Sequence, residues 1–195
     1  KKTFFSLEKL PLMKNFYLAG GTGLALQIGH RISLDLDFFT GESFDESTLI
    51  QKVSEIGDFR LDKKSENSII GTLNNTKISF LGYKYPLVGE LGKISSINIA
   101  AIIDIACMKF DAIASRGTKR DFVDVYFVAK EFYPLKEMME NFNRKYASIN
   151  YNMMHIKKSL IYFDDAEQDP MPKLLKPADW NEIKSFFQRE IFKIV

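Results

Sequence analysis

The sequence predicts an α+β fold, with a small mixed β-sheet in the first half of the chain and a helical second half packed on it. Between residues 16 and 100, short apolar or alternating runs and glycine or asparagine turns are typical of strands. After residue 100, apolar residues recur at helical spacing. We therefore expect a core at residues 1–100 that holds the sheet and a helical C-terminal part at residues 101–195.

The composition is that of an ordinary globular protein and excludes several other classes. The 195 residues are 46% hydrophobic and 27% charged, which excludes intrinsic disorder, collagen and a coiled-coil rod. One cysteine and two histidines exclude a disulfide framework and a multi-cysteine zinc site. The net charge of +2 gives no overall attraction to nucleic acid. The longest apolar stretch, residues 97–110, carries charged side chains, so we expect no transmembrane helix. The lack of a signal-peptide pattern predicts a cytoplasmic location.

The first elements are a broken helix, a strand, a second helix and a second strand. In residues 3–14, apolar side chains recur at approximately helical spacing, and Pro11 interrupts this pattern. Residues 16–19 form a short apolar run that ends at two glycines, which predicts a buried strand. A helix is expected over residues 22–29. Residues 32–39 alternate between apolar and polar side chains, which predicts a half-buried strand.

The middle of the chain adds one helix and more strands. Residues 45–56 are expected to be helical, with Ser43 or Asp45 as the N-cap. Residues 59–85 become β-rich, and two runs within them flank an Asn-Asn dipeptide at 74–75, which is a hairpin signal.

Beyond a short predicted strand at residues 97–100, the chain reads as helical. Gly117 and Pro134 are residues that end helices. The predicted helices lie at residues 101–116, 119–132, 135–146 and 151–163, with a last amphipathic helix around residues 180–191.

The motif Asp35-Leu36-Asp37 carries the most chemical information. Two acids separated by one residue of a strand project from the same face. Neighbouring carboxylates raise one another's pKa unless a cation lies between them. Magnesium takes one or two carboxylates and completes its shell with waters and substrate phosphates. The motif thus predicts a Mg²⁺ site, the alternative being an exposed strand whose acids face water.

The turn Gly20-Gly21-Thr22 lies between a predicted buried strand and a predicted helix. Glycines let the backbone turn sharply and approach a ligand, and the start of the helix offers N–H groups to an anion. The turn therefore predicts a phosphate site, the alternative being a tight turn without a ligand. No Gly-Lys-Ser or Gly-Lys-Thr follows, which excludes a P-loop. A Rossmann dinucleotide site is only weakly indicated, because the third glycine of its motif is missing.

A second group of charged residues lies in the predicted helices after residue 100. Lys109 and Arg116 are seven positions apart and share a helical face. Asp121 and Asp124 are three apart and also share a face. Taken alone, such a cluster is more typical of a solvated helical surface than of a binding site.

Taken together, these motifs resemble the AbiEii-type nucleotidyltransferases, a family within the DNA-polymerase-β-like nucleotidyltransferase superfamily. A block from Asp104 to Tyr126 is similar to the family's helical motif, in which a lysine precedes an Arg-Asp pair. The resemblance covers about residues 15–130, and the tail around residues 162–170 also looks like short members of the family. The segments similar to the family's first motif are residues 16–22, 24–26, 29–31 and 33–39.

The resemblance implies a nucleotidyltransferase core, a helical C-terminal part and an active site in the cleft between them. It implies Mg²⁺-dependent transfer of a nucleoside monophosphate from a nucleoside triphosphate (NTP) to an acceptor, tRNA in some members. The protein would be the toxin of a toxin–antitoxin or phage-defence pair, with a cognate antitoxin as its partner. The implied site residues are Gly20, Gly21 and Thr22 for the triphosphate, Asp35 and Asp37 for Mg²⁺, Lys109 for phosphate, Asp121 to complete the active centre, and Arg31 and Arg116 as further phosphate contacts.

One departure from the superfamily pattern concerns a third carboxylate, which is usually carried by a later strand. The best candidate strand, residues 77–81, has Ser79 where an acid is expected. Either Asp121 or Asp124 substitutes, or the metal site is reduced, or the protein no longer catalyses. Two alternatives therefore stay open: a non-catalytic nucleotide- or partner-binding member of the fold, and a small-molecule nucleotidyltransferase of the antibiotic-modifying type.

Overall fold

The chain folds into two compact units. The computed structural model describes residues 2–149 and 151–194. The first unit comprises the residues up to Gly23, Ser33–Pro86 and Glu90–Ala100, and the second comprises Leu24–Ile32, Leu87–Gly89 and the chain from Ala101 onward.

The first unit holds a mixed β-sheet, as the α+β prediction requires. Within the described residues the sheet has seven strands: β1 (Tyr17–Leu18), β2 (Leu36–Thr40), β3 (Phe59–Ser65), β4 (Ser68–Leu73), β5 (Thr76–Gly82), β6 (Gly92–Ile94) and β7 (Ile97–Ile99). Their order is β3-β4-β5-β2-β1-β7-β6. The pairs β2–β5 and β1–β7 are parallel, and the other neighbouring strands are antiparallel.

Three helices accompany these strands in the order of the chain. They are α1 (Lys2–Leu7), α2 (Gly20–Ile28) and α3 (Glu46–Ser54), with a 3₁₀ turn at Pro11–Asn15. The predicted break at Pro11 is confirmed, because α1 ends before it. Of the two predicted caps, Asp45 is the one used: its side chain accepts a hydrogen bond from the Thr48 N–H at 2.6 Å.

The core of the first unit lies on one face of the central strands. Phe38 of β2 and Phe80 of β5 are fully buried, and their rings stack with centroids 5.4 Å apart. Phe16 meets Phe80 edge to face at 5.3 Å. Leu49 and Val53, on the buried face of α3, belong to the same apolar cluster. Because side chains alternate along a strand, the neighbours of Phe38 and Phe80 face away from this core.

The predicted hairpin between β4 and β5 is confirmed. Asn74 and Asn75 connect the two strands, with φ of +47° and +63°. Two central residues with positive φ match the right-handed twist of the flanking strands, and asparagine adopts this conformation more readily than most residues.

The predicted strand at residues 32–39 is wrong at its start, because β2 begins only at Leu36. Ile32 and His30, which belong to the second unit, instead form hydrogen bonds with a distant part of that same unit. Ile32 N–H donates to the Lys173 carbonyl at 2.9 Å, and Leu175 N–H donates to the His30 carbonyl at 2.8 Å. Local alternation cannot reveal a partner so distant in sequence. The short strand β6 is also an addition to the predicted elements.

The second unit is helical, as predicted. Its described helices after residue 100 are α4 (Ile102–Ser115), α5 (Lys119–Glu131), α6 (Leu135–Lys145), α7 (Met153–Ser159), α8 (Asp164–Glu167) and α9 (Trp180–Glu190). Gly117, at φ +53°, follows the end of α4 as expected. Helix α7 is shorter than predicted, because Asn152 caps its start through the His155 N–H, and α8 was not predicted. No described helix combines the length and the apolar composition needed to cross a bilayer.

Aromatic packing holds the last helix against the rest of the second unit. Phe122 of α5 lies 5.3 Å from Phe187 and 5.8 Å from Trp180 between ring centroids. The Lys119 ammonium lies 5.0 Å from the centre of the Trp180 ring. Trp180 therefore has a structural role in the second unit.

Two glycines in the same backbone conformation bracket α2. Gly20 begins the helix and Gly29 follows it, and φ is +62° at both. A Cβ added to Gly20 would lie 2.7 Å from Asp37 Oδ2, whereas a Cβ added to Gly29 would meet nothing within 4 Å. A side chain would strain the backbone equally at either position, but only at Gly20 would it also collide with a neighbour.

We expect Gly29→Ala to lower the free energy of unfolding by about 1–2 kcal/mol, the cost of a left-handed L-residue. Gly20→Ala should carry the same strain and about 1 kcal/mol more, because the Asp37 side chain must turn away. Urea unfolding of both variants measures the difference. Equal losses would contradict a tight contact between Gly20 and Asp37.

Candidate active site

In the first unit, Asp37 lies in the middle of the sheet and faces away from the apolar core. It is half-buried between the buried residues Leu36 and Phe38. Asp35 immediately precedes β2 and is also half-buried. Both acids of the motif are therefore partly accessible, as a metal or substrate ligand must be.

Ser79 of β5 pairs directly with Asp37 of β2. Residues side by side in a parallel pair point to the same face of the sheet, so Ser79 lies beside Asp37. Ser79 therefore lies where the third carboxylate was expected, and it offers a hydroxyl in place of the acid.

The first turn of α2 is built closely against Asp37. The Ala19 N–H donates to the Asp37 carbonyl at 3.0 Å, and the missing side chain of Gly20 leaves room for the Asp37 carboxylate. The prediction that the strands before the glycines and at the paired acids are neighbours is confirmed, because β1 and β2 are antiparallel partners. The first turn of a helix points its N–H groups outward, where an anion can accept them.

Thr22 is buried in this turn, and its hydroxyl already has a partner. Its Oγ1 donates to Ser33 Oγ at 2.9 Å. This hydrogen bond ties the first turn of α2 to the chain just before the Asp35-Leu36-Asp37 motif. Any contribution of Thr22 to phosphate binding is therefore expected from its backbone N–H rather than from its hydroxyl.

The donor set of the first unit fits a magnesium ion that shares its shell with substrate. Among the described residues, no group of three or more His, Cys, Asp or Glu side chains is placed to hold a metal ion. Asp35 and Asp37 supply two carboxylates, and Ser79 adds a hydroxyl on the same face as Asp37. Magnesium prefers oxygen ligands and commonly takes one or two carboxylates with waters and phosphates.

In the second unit, Lys109 joins two carboxylates of α5. Its Nζ lies 2.8 Å from Asp121 Oδ1 and 2.6 Å from Asp124 Oδ2. Asp121 and Asp124 lie one helical turn apart, so both face Lys109 of α4. All three side chains are buried.

The Asp124 carboxylate has further partners from the segment that follows α2. Arg31 donates to it through Nε and Nη2 at 2.6 and 2.8 Å, and His30 Nε2 donates at 2.7 Å. His30 and Arg31 are themselves buried. The other ring nitrogen of His30, Nδ1, has no hydrogen-bond partner among the described residues.

Arg116 and Thr118 complete the surroundings of Asp121. Arg116 donates to Asp121 Oδ2 through Nε at 3.1 Å, and the Thr118 hydroxyl donates to the same oxygen at 2.6 Å. The Arg116 side chain is 61% exposed. It is therefore a cation at the edge of the buried cluster that solvent or a ligand can reach.

Burial alone would raise the pKa of both carboxyls, yet both are held lower. The Lys109 ammonium and the hydrogen bonds from neighbouring cations lower the pKa of Asp121 and of Asp124 below its ordinary value. Burial alone would lower the pKa of Lys109, but the charges of Asp124 and Asp121 raise it. Both carboxylates and the ammonium thus stay ionised at neutral pH.

The cluster concentrates cations of a kind that suits an anion. Arg31, Lys109 and Arg116 all lie against Asp121 or Asp124. In surroundings with little water, cations held in fixed positions attract phosphate strongly.

The predicted site residues thus fall into two sets. Those in the first unit are Gly20, Gly21, Thr22, Asp35 and Asp37, and those in the second are Arg31, Lys109, Arg116 and Asp121. Asp124 was predicted only as a possible substitute for the missing third carboxylate, and His30 was not among the predicted site residues. The spacing of Asp121 and Asp124 on one helical face was the available signal, whereas the proximity of His30 was not readable from the sequence.

The lowered pKa values predict a loss of stability in acid. In the unfolded chain Asp121 protonates near its ordinary value of 3.8, whereas the folded protein keeps it ionised to lower pH. Its stabilising effect is therefore complete above that value and is lost as the pH falls below it. Urea unfolding from pH 7 to 3 should show a steeper loss in the unchanged protein than in Asp121→Asn, which has no such carboxyl. Parallel curves would contradict the shift.

Three comparisons relate this chain to known proteins. A protein of Aquifex aeolicus (strain VF5), aq_aa25, is 38% identical over 194 residues, which are 95% of this chain and 92% of that protein. A nucleotidyltransferase-fold structure from H. pylori has a TM-score of 0.56 at 18% identity and covers 99% of this chain and 92% of its own. MenT4, a nucleotidyltransferase toxin from Mycobacterium tuberculosis H37Rv, has a TM-score of 0.56 at 13% identity, with 91% and 74% covered.

The two structural similarities show a shared nucleotidyltransferase fold. The sequence itself matches the family model described as "Nucleotidyl transferase AbiEii toxin, Type IV TA system" over residues 3–94 and 85–193. These matches span almost the whole chain and include both sets of site residues. The chain therefore belongs to the AbiEii nucleotidyltransferase toxin family.

Proposed function

We propose that this chain transfers a nucleoside monophosphate from an NTP to an acceptor, that the reaction depends on Mg²⁺, and that the acceptor is tRNA. Family membership supports nucleotidyl transfer as the class of reaction. The observation that carries the proposal is the contact in the first unit between Gly20 and the Asp37 carboxylate. A turn suited to phosphate thereby adjoins an acid suited to a metal ion.

In this proposal the first unit binds the triphosphate and the metal ion. The backbone N–H groups of Gly20, Gly21 and Thr22 bind phosphate oxygens at the start of α2. Asp35 and Asp37 hold Mg²⁺, and triphosphate oxygens complete its shell. When bound, Mg²⁺ neutralises charge on the phosphate oxygens of the reacting NTP.

For the second unit we propose a set of cations that bind phosphate. Lys109 has three N–H groups, of which Asp121 and Asp124 accept two, and the third is proposed for phosphate. Asp121 keeps Lys109 ionised and completes the active centre. Arg116 is the accessible cation and Arg31 the buried one, and both are proposed to add to the attraction for phosphate.

The proposed transfer is an in-line displacement. The hydroxyl oxygen of the acceptor forms a new bond to the α-phosphorus, and the bond from that phosphorus to the pyrophosphate oxygen breaks. The hydroxyl proton passes to solvent, and pyrophosphate leaves. Little covalent chemistry is asked of the protein, so its contribution is positioning and preorganised charge.

The biological setting we propose follows from the family. A toxin of this family acts with a cognate antitoxin, so we propose an antitoxin protein as the partner and the cytoplasm as the place of action. Purified protein, Mg²⁺, each labelled NTP and total RNA should give label in ribonuclease-sensitive material of tRNA length. Label found only in small molecules would replace the tRNA acceptor by a small one.

A second candidate function is favoured by Ser79. Its place beside Asp37, where the superfamily usually has an acid, fits a protein that binds NTP with Mg²⁺ but does not catalyse transfer. The labelling experiment separates the two candidates, since the second predicts nucleotide binding and no labelled product with any acceptor.

We expect NTP and Mg²⁺ to bind together. An NTP at about 100 times its Kd should raise the melting temperature by roughly 5–10 °C in Mg²⁺ and far less in EDTA. Asp35→Asn and Asp37→Asn should abolish this difference and lower transfer by orders of magnitude. Their stability without metal should stay level or rise, since two like charges no longer repel.

Asp62→Asn is the matched control for this experiment. Asp62 is an exposed carboxylate of β3 in the same unit, and its removal should leave both the Mg²⁺ effect and the activity unchanged. If the variant with both Asp35→Asn and Asp37→Asn still transfers nucleotide, the proposed mechanism is wrong.

Ser79→Asp tests whether the missing third acid weakens the metal site. The new carboxylate would lie on the same face as Asp37, so the apparent Mg²⁺ affinity should rise by about tenfold, as for one added charged contact of ~1.5 kcal/mol. Isothermal titration calorimetry measures it, with Ser79→Asn as the control of equal size without charge. A weaker site in Ser79→Asp would mean that another acid already fills the role.

A further inference from the structure

Asp124 is a buried carboxylate of the second unit with several partners, and it is not among the predicted site residues. Its side chain is fully buried, with an exposed fraction of 0%. Three side chains donate to it: Lys109, Arg31 and His30. Arg31 and His30 are 93 and 94 positions away in the sequence.

The geometry at Asp124 orients its cationic partners and also compensates their charge. Oδ1 accepts from Arg31 Nε and His30 Nε2, and Oδ2 accepts from Arg31 Nη2 and Lys109 Nζ. Two parallel N–H···O bonds hold the planar Arg31 guanidinium in one orientation. The same carboxylate therefore orients two cations that come from different elements.

Lys109 depends on Asp124 for its position. Its ammonium lies 2.8 Å from the Asp121 carboxylate and 2.6 Å from the Asp124 carboxylate. With both acceptors in place, the third N–H has a defined direction. With Asp121 as the one remaining carboxylate, the Lys109 ammonium would share its acceptor with Arg116, whose side chain is exposed. The direction of the ammonium would then no longer be fixed.

A second buried carboxylate in the same unit, Asp104, provides a comparison with Asp124. Asp104 accepts from Lys145 Nζ at 2.7 Å and from the backbone N–H groups of Val88 and Gly89. Both members of this pair are fully buried. It connects α4, α6 and the segment Leu87–Gly89, and it contacts none of the proposed site residues in these interactions.

We infer that Asp124 is a positioning residue of the transfer reaction, which holds the Lys109 ammonium and the Arg31 guanidinium in the orientation that phosphate requires. This inference rests on the proposed function. It assigns Asp124 no contact with substrate. It differs from a structural role in one respect: the loss of Asp124 should lower the rate of chemistry beyond what its effect on folding explains.

The protonation state of Lys109 gives a readout that is independent of activity. The groups that face its ammonium are Asp121 and Asp124 of α5, with Arg116 at the end of its own helix and Arg31 and His30 reached through Asp124. Burial favours the neutral amine, and the two carboxylates oppose burial. Removal of one carboxylate should therefore lower the pKa of Lys109.

The test compares Asp124→Asn with Asp104→Asn, which removes the carboxylate charge from the Asp104–Lys145 pair. Both variants should melt at lower temperature. With labelled NTP and the acceptor found for the unchanged protein, Asp124→Asn should lose about 10²–10³-fold in kcat with KM changed little. Asp104→Asn should keep its kcat per folded molecule. Carbon-13 NMR of the lysine Cε should show Lys109 titrating about one pH unit lower, or more, in Asp124→Asn only.

Asp124→Glu keeps the test decisive if the asparagine variant does not fold. It retains the negative charge, so Lys109 should titrate as in the unchanged protein. The added methylene displaces the carboxylate by about 1 Å, and a misplacement of that size should lower kcat by on the order of 10²-fold. Full kcat in a folded Asp124→Glu would overturn the role in positioning.

The remaining outcomes are equally distinct. Full kcat in folded Asp124→Asn, or equal losses of kcat in Asp124→Asn and Asp104→Asn, would overturn the inference and leave the proposed function standing. An unshifted Lys109 titration in Asp124→Asn would overturn it as well. Absence of transfer by the unchanged protein with every acceptor would remove the proposed function and this inference with it.

Discussion

The central place of β2 in the sheet is the constraint on which the first unit depends. β2 lies between β5 and β1, and successive side chains of a strand point to opposite faces. Phe38 therefore enters the core against Phe80, while Asp37 faces the other way beside Ser79. A register shift of one residue would exchange the two faces. The apolar core and the candidate metal site are thus fixed by the same pairing.

The second unit depends on a different constraint, the compensation of buried charge. A charge removed from water is tolerated only with partners that replace its hydration. Asp124 and Asp121 meet this condition with cations from α4, from its C-terminal end and from the segment after α2. The same compensation holds these cations in fixed directions. Preorganised charge of this kind favours a phosphate group without reorganisation during reaction, which agrees with a nucleotidyltransferase family.

Features that depend on neighbours in sequence were predicted well. The Asn74-Asn75 turn, the Asp45 cap and the end of α4 before Gly117 each follow from local backbone preferences. The order of strands followed by helices gave the α+β class for the same reason, because periodicity is local. The family could also be inferred, since the glycine turn, the paired acids and the later helical block are sequence motifs.

The sequence by itself therefore determined the fold class, the family and the residue types available for phosphate and metal binding. Only the tertiary structure decided their environments. It placed Ser79 beside Asp37, began β2 at Leu36 instead of residue 32, and buried Lys109 against two carboxylates. The physical reason is that burial and charge compensation depend on which distant segments meet. Two partners of Asp124, His30 and Arg31, lie more than 90 positions away, and no local pattern encodes such a contact.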